Sequence, residues 1–225
     1  MTIRLAGDST VAPPKPLEHP LSGWGGYLHE YVADDIVNYA VGGATTASFI
    51  DEGRWPALLN DLQPGDTVII QFGHNDQKAR PLSEAMDAYR DRLTSFLDDV
   101  RAKGATPVLA TSPERRLFTD DGLRMSHGGY PQIVRDLGRD EDVPVIDLTA
   151  FTRWLYTWLG RDDARCLFVH FGPGESQYWP DGVHDDTHFN THGARALAAF
   201  VAHSLDAVRR SGEHIEPAGR WGVQP

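Results

Sequence analysis

The chain has 225 residues, 40% hydrophobic and 24% charged, a size and balance that suit one medium α/β domain spanning residues 1–225. Its 32 acidic against 21 basic residues give a formal net charge of −11, which excludes nucleic acid as a partner, and its single cysteine, Cys166, excludes an intrachain disulfide. No stretch approaches the roughly 18 apolar residues of a membrane helix, and the start Met1-Thr2-Ile3-Arg4-Leu5-Ala6 lacks the apolar run of a signal peptide, so a cytoplasmic protein is expected unless a leader was trimmed.

Taken in order, residues 3–6, 35–41, 67–72, 106–111 and 143–148 form five short apolar segments with β-branched cores. They predict strands of a buried parallel sheet. Residues 11–20, rich in proline, read as a surface loop after the first strand. The clearest helical pattern covers 83–103, with Met86, Tyr89, Leu93, Phe96 and Val100 on one face. Ser83 is placed to cap it and Gly104 to end it. A last helix is expected from Thr191, its N-cap, burying Leu197, Phe200, Val201, Leu205 and Val208 and closing at Arg209, Arg210 and Gly212. The tail 213–225 reads as irregular. Alternating strands and helices predict right-handed crossovers and a three-layer α/β/α sandwich, with ligands beyond the carboxyl ends of the strands.

The chemistry-bearing residues fall at those ends. Gly7-Asp8-Ser9-Thr10 follows the first strand and can project a serine hydroxyl into the crevice, although the same composition makes an ordinary turn. It is not the Gly-x-Ser-x-Gly elbow of α/β-hydrolases. Gly42-Gly43-Ala44-Thr45 follows the second strand and permits an unusual backbone angle with a close N–H. Gly73-His74-Asn75-Asp76 follows the third; Asn75 either aims its amide at a developing oxyanion, a contribution of about 3–4 kcal/mol, or makes local turn bonds.

Three histidines and three aspartates crowd residues 181–193. Asp185 and His188, three apart, come to one side of a turn and make a carboxylate–imidazole pair for the serine, whereas Asp186 and His188 diverge. The competing reading sets His184, His188 and His192 around a metal, which needs a continuous helix that Asn190, Thr191 and Gly193 argue against. Trp24, Tyr178 and Trp179 are candidates for stacking on a substrate ring, or else core and loop anchors. Arg115 and Arg116 follow the fourth strand, where an arginine can meet a substrate carboxylate or a surface acid. His74 joins the possible substrate contacts, and His127 is left without an assigned duty.

Together, Gly7-Asp8-Ser9, Gly43, Gly73-His74-Asn75-Asp76 and Asp185-x-x-His188 resemble the SGNH (GDSL-like) hydrolase superfamily in order and spacing, over residues 3 to about 205. Ala6-Gly7-Asp8-Ser9-Thr10-Val11, Phe72-Gly73-His74-Asn75-Asp76 and Asp185-Asp186-Thr187-His188-Phe189 are similar to blocks of the rhamnogalacturonan acetylesterases, carbohydrate esterase family twelve. The resemblance implies a flavodoxin-like sheet of five parallel strands. It also implies Ser9 as nucleophile, His188 as general base and Asp185 as its orienting acid. The oxyanion hole would be the N–H groups of Ser9 and Gly43 with the Asn75 amide. It further implies an acetylated carbohydrate, pectic in type, as substrate, and no cofactor. Relatives often carry Arg-Ser where this chain has Ala44-Thr45, which puts sugar contacts there in doubt. Acetylxylan esterase, or a lipase or thioesterase of the same superfamily, is the alternative activity; a non-catalytic carbohydrate binder is the alternative class.

Overall fold

A computed structural model describes residues 1–211. The expected closing residue Gly212 and the tail 213–225 lie outside the described residues. The five segments form one parallel sheet of β1 (Thr2–Gly7), β2 (Asp35–Asn38), β3 (Thr67–Gln71), β4 (Thr106–Ala110) and β7 (Val145–Ile146), in the order β2-β1-β3-β4-β7. This is the doubly wound, flavodoxin-like order. β2 and β7 are shorter than expected because each is an edge with one neighbour. β2 alternates exposed and half-buried residues where a central strand is buried on both faces.

Side chains alternate across the sheet, so each face has its own core. Ile3, Leu5, Ile69 and Val108 face Tyr156 of α5 (Leu148–Asp163) and Leu197, Val201 and Leu205 of α6 (Thr191–Ser211). Ala6, Val68, Ile70 and Leu109 face the other layer. There they meet Phe49 of α1 (Thr46–Asp51), Leu58 of α2 (Arg54–Asp61), Phe96 of α3 (Leu82–Ala102) and Leu137 of α4 (Tyr130–Asp140). Helices on both faces make the three layers. Among the described residues, no helix is long and apolar enough to cross a membrane.

Two expected caps move. α3 begins at Leu82 with Pro81 as its N-cap, so Ser83 lies inside the first turn and caps nothing. α6 begins at Thr191, and the oxygen Asn190 Oδ1 accepts from the N–H groups of His192 (2.9 Å) and Gly193 (3.1 Å). Asn190 is therefore the cap, one residue earlier than expected.

Two antiparallel hairpins lie outside the main sheet. One joins β5 (Phe118–Thr119) to β6 (Gly122–Leu123), and the other joins β8 (Phe168–Phe171) to β9 (Val183–Phe189). β9 runs through residues 185–188, and the turn expected there survives as an irregularity in its pairing, between the partners of Phe168 and Val169. Five consecutive polar residues gave β9 no apolar alternation; it is anchored through buried Phe168, Val169 and Phe189, with the rings of Phe168 and Phe189 5.2 Å apart.

Candidate active site

The chain leaves β1, an inner strand, at the point where strand order reverses. Beyond Gly7 it tightens into a turn, with the N–H groups of Val11 and Ala12 donating to the Asp8 carbonyl (3.1 and 3.0 Å). A buried relay fixes this turn from below. The Trp24 indole N–H donates to Gln71 Oε1 (2.7 Å), the Gln71 amide to Thr10 Oγ1 (2.6 Å), and the Thr10 hydroxyl to Asp8 Oδ1 (2.8 Å). Backbone lies directly on backbone here: Gly23 N donates to Ala12 O (2.9 Å) and Trp24 N to Thr10 O (2.8 Å). A methyl group on Gly23 would lie 2.5 Å from the carbonyl carbons of Thr10 and Val11, and one on Gly25 would strike the Val11 carbonyl oxygen.

Trp24 is thus no platform for a sugar. It is fully buried and spends its one donor on Gln71, so the sequence expectation for it is corrected. Gln71 escaped the sequence reading, yet a glutamine closing the run Val68-Ile69-Ile70 is a polar group in an otherwise apolar central strand. Such a group needs a buried partner.

Asp8 is also buried, and its second oxygen, Oδ2, has no partner. Burial raises its carboxyl to about 6, against the hydrogen bonds from Thr10, with the Asp76 charge adding to the rise.

Ser9 stands half-exposed above this base. Its Oγ is 3.0 Å from His188 Nε2, and His188 Nδ1 is 2.7 Å from Asp185 Oδ2. The other oxygen of Asp185 accepts from the N–H groups of Thr187 (2.8 Å) and His188 (2.9 Å), which folds the strand locally and turns residue 188 back over 185. Burial opposes ionisation of Asp185, but the bonds from the His188 side chain and backbone outweigh it and hold the carboxyl below its usual range. An ionised carboxylate only accepts, so Nδ1 carries the proton and Nε2 offers its lone pair to the Ser9 hydroxyl. Ser9, His188 and Asp185 thus come together, although 179 positions separate the first two.

Asp186 points elsewhere. It takes Arg116 Nε at 2.7 Å and His170 Nε2 at 3.1 Å on one oxygen, Oδ1, and its carbonyl accepts from Arg116 N at 2.8 Å. This group steadies β9, and the sequence reading did not assemble it. His184 faces His170 across the hairpin, with their Nδ1 atoms 3.4 Å apart, while His192 is exposed on the first turn of α6. The continuous helix that the metal reading needs is absent from 184–192, and among the described residues no group of three or more His, Cys, Asp or Glu is placed to hold a metal ion.

The second and third loops close the crevice. Gly43 has φ +83°, a backbone angle costly for any side chain, and a methyl on Gly42 would lie 3.8 Å from Ser9 Cβ. Asn75 Nδ2 donates to the Ala44 carbonyl (3.0 Å), and Asp76 Oδ1 accepts from Thr46 N (2.8 Å) and Oγ1 (2.6 Å), so the two loops are stapled together.

Four candidate substrate contacts remain. The His74 ring is buried edge-on against His127, with centroids 4.3 Å apart, and neither ring nitrogen has a partner. Burial first, then the charges of His127, Arg115 and His188, push its pKa well below the usual value, so it is neutral. Arg115 is half-buried and reaches the His74 carbonyl through Nη2 (3.3 Å). Tyr178 and Trp179 are half-buried in the 172–182 connection that leads into β9, with the Tyr178 ring 6.4 Å from that of His19.

A model of the GDSL-like lipase/acylhydrolase family matches residues 5–196. The chain is 43% identical over 208 residues to the rhamnogalacturonan acetylesterase RhgT of Bacillus subtilis (strain 168), covering 91% of this chain and 89% of that one. The solved structure of the Bacillus subtilis protein YxiM has a TM-score of 0.75 at 29% identity and covers 94% of this chain; the match spans 56% of that longer chain. Axe2, an acetylxylan esterase from Geobacillus stearothermophilus, has a TM-score of 0.63 at 16% identity over 91% of this chain and 93% of its own, a likeness of fold.

Proposed function

The chain belongs to the GDSL-like lipase/acylhydrolase family and is a carboxylic ester hydrolase, and from that premise we propose that it removes O-acetyl groups from a pectic, rhamnogalacturonan-type polysaccharide or its oligosaccharides. The observation that carries the mechanism is the relay from Ser9 Oγ through His188 to Asp185, at 3.0 and 2.7 Å. The pectic substrate is supported by the 43% identity to RhgT.

In this reading Ser9 Oγ attacks the acetyl carbonyl while His188 Nε2 takes its proton. Asp185 holds the imidazole in the required tautomer and balances the imidazolium that forms. The negative oxygen of the tetrahedral intermediate is met by the N–H groups of Ser9 and Gly43 and by the Asn75 amide; one Asn75 N–H is spent on Ala44, leaving the second for the oxyanion. His188 returns its proton to the departing sugar oxygen. Water, activated by the same imidazole, then cleaves the acetyl-enzyme and restores the Ser9 hydroxyl. No cofactor enters.

The test compares acetate release from acetylated rhamnogalacturonan, homogalacturonan and xylan at equal acetyl concentration. Release should be fastest from rhamnogalacturonan and fall at least about 10³-fold in Ser9→Ala with the melting temperature kept. Faster release from xylan would reassign the substrate, and a Ser9→Ala enzyme at near wild-type rate would reject the mechanism.

A further inference from the structure

At the carboxyl end of β4 lies an arginine to which the described residues offer no carboxylate. The Arg115 Nε is without a partner. The guanidinium makes one bond, to the backbone carbonyl of His74, and forms no ion pair with any carboxylate of the described residues. Its neighbour Arg116 shows the contrast: it is spent on Asp186 and on the Arg161 carbonyl.

The preceding acid does not satisfy Arg115 either. Glu114 is buried and turned toward Ser126, accepting from that residue's N–H (2.8 Å) and hydroxyl. This bond, with Glu114 N on Thr152 Oγ1 (2.8 Å) and Arg115 N on Ser126 Oγ (3.0 Å), pins the main chain and fixes where the guanidinium starts. A half-buried guanidinium held in place without a counter-ion is open to an anion supplied from outside. Arg115 sits beside the third loop, bonded to the carbonyl of His74, the residue before Asn75.

We infer that Arg115 forms a carboxylate subsite that reads a uronate of the acetylated substrate. A guanidinium fork donates two parallel bonds to a carboxylate. The need is physical as well. A chain of net charge −11 repels a polyanion at long range, so an acidic saccharide requires a local cation that no internal acid already occupies. The inference rests on the proposed pectic substrate and deepens it, making Arg115 a determinant of specificity.

The experiment compares one acetylated galacturonate oligosaccharide as free acid and as methyl ester, following acetate release. The ratio of kcat/KM values, acid over ester, is the readout, because partial unfolding of a variant cancels in it. Wild-type protein should favour the acid by tenfold or more, chiefly through KM. Arg115→Met should bring the ratio near one, and Arg115→Lys, which keeps the charge but not the fork, should fall between. A wild-type ratio near one overturns the subsite while leaving the acetylesterase reading intact. A ratio that stays at tenfold in both variants removes Arg115 from it. No acetate from either form, with release from xylan, overturns the pectic reading and the subsite with it.

Discussion

The two halves of the site are built differently. Ser9 stands just beyond an inner strand of a parallel sheet, above a buried chain of bonds from Trp24 to Asp8. His188 and Asp185 ride on a two-stranded hairpin outside that sheet, steadied by the pair of Arg116 with the partly exposed Asp186. The oxygen is set by the core, and the imidazole is set from the surface. Damage to the first half should therefore register as lost stability, and damage to the second as lost turnover.

Trp24→Ala applies the hardest strain to that contrast. Emptying a fully buried indole and orphaning Gln71 should cost about 3–5 kcal/mol in urea unfolding. A loss below about 1 kcal/mol would mean that the core does not set the serine turn.

Asp8→Asn is next, and its sign depends on pH. With its carboxyl raised by burial to about 6, the folded state keeps a proton that the unfolded chain releases from about pH 4 upward. Stability is therefore lost as pH rises from about 4 to 6. The amide should restore on the order of 2–3 kcal/mol at pH 7 and almost nothing at pH 4. His127 acts in the opposite sense: burial pushes it down to about 4, so stability is lost as pH falls from about 6.5 to 4. Removing Asp8 should leave that histidine slope less offset, so that between about pH 4 and 6.5 the variant gains more stability with rising pH than wild type does. A pH-independent difference between variant and wild type would refute the assignment.

The smallest effect is expected from Arg116→Ala. It leaves Asp186 to His170 alone and should lower kcat up to about tenfold, or about 1.4 kcal/mol, with a melting temperature near that of wild type. A fall in stability without a fall in kcat would show that the hairpin belongs to the core after all.

The same contrast explains what could be read from the sequence. The sheet was legible because apolar runs such as Val68-Ile69-Ile70 are buried on both faces, and strand ends locate a crevice without any knowledge of contacts. The pairing of Asp185 with His188 was legible because three-residue spacing is local. β9 was not, since His184-Asp185-Asp186-Thr187-His188 carries no period of two and its pairing comes from β8, over a long connection. Trp24 was left between two readings because a glycine-flanked tryptophan looks the same on a surface as in a core; only Gln71, 47 residues away, decides it. Asn190 lost the cap to Thr191 in the reading because both residue types cap well.

The close contact of Gly23 and Gly25 with the residue 10–12 backbone has a consequence for how this enzyme can be altered. Neither position carries a functional group, yet any replacement there would lever the nucleophile's own loop out of register with the imidazole. A mutagenesis library that randomises the crevice should hold both fixed, and dead clones mapping to them would report a displaced oxygen rather than a missing chemical group.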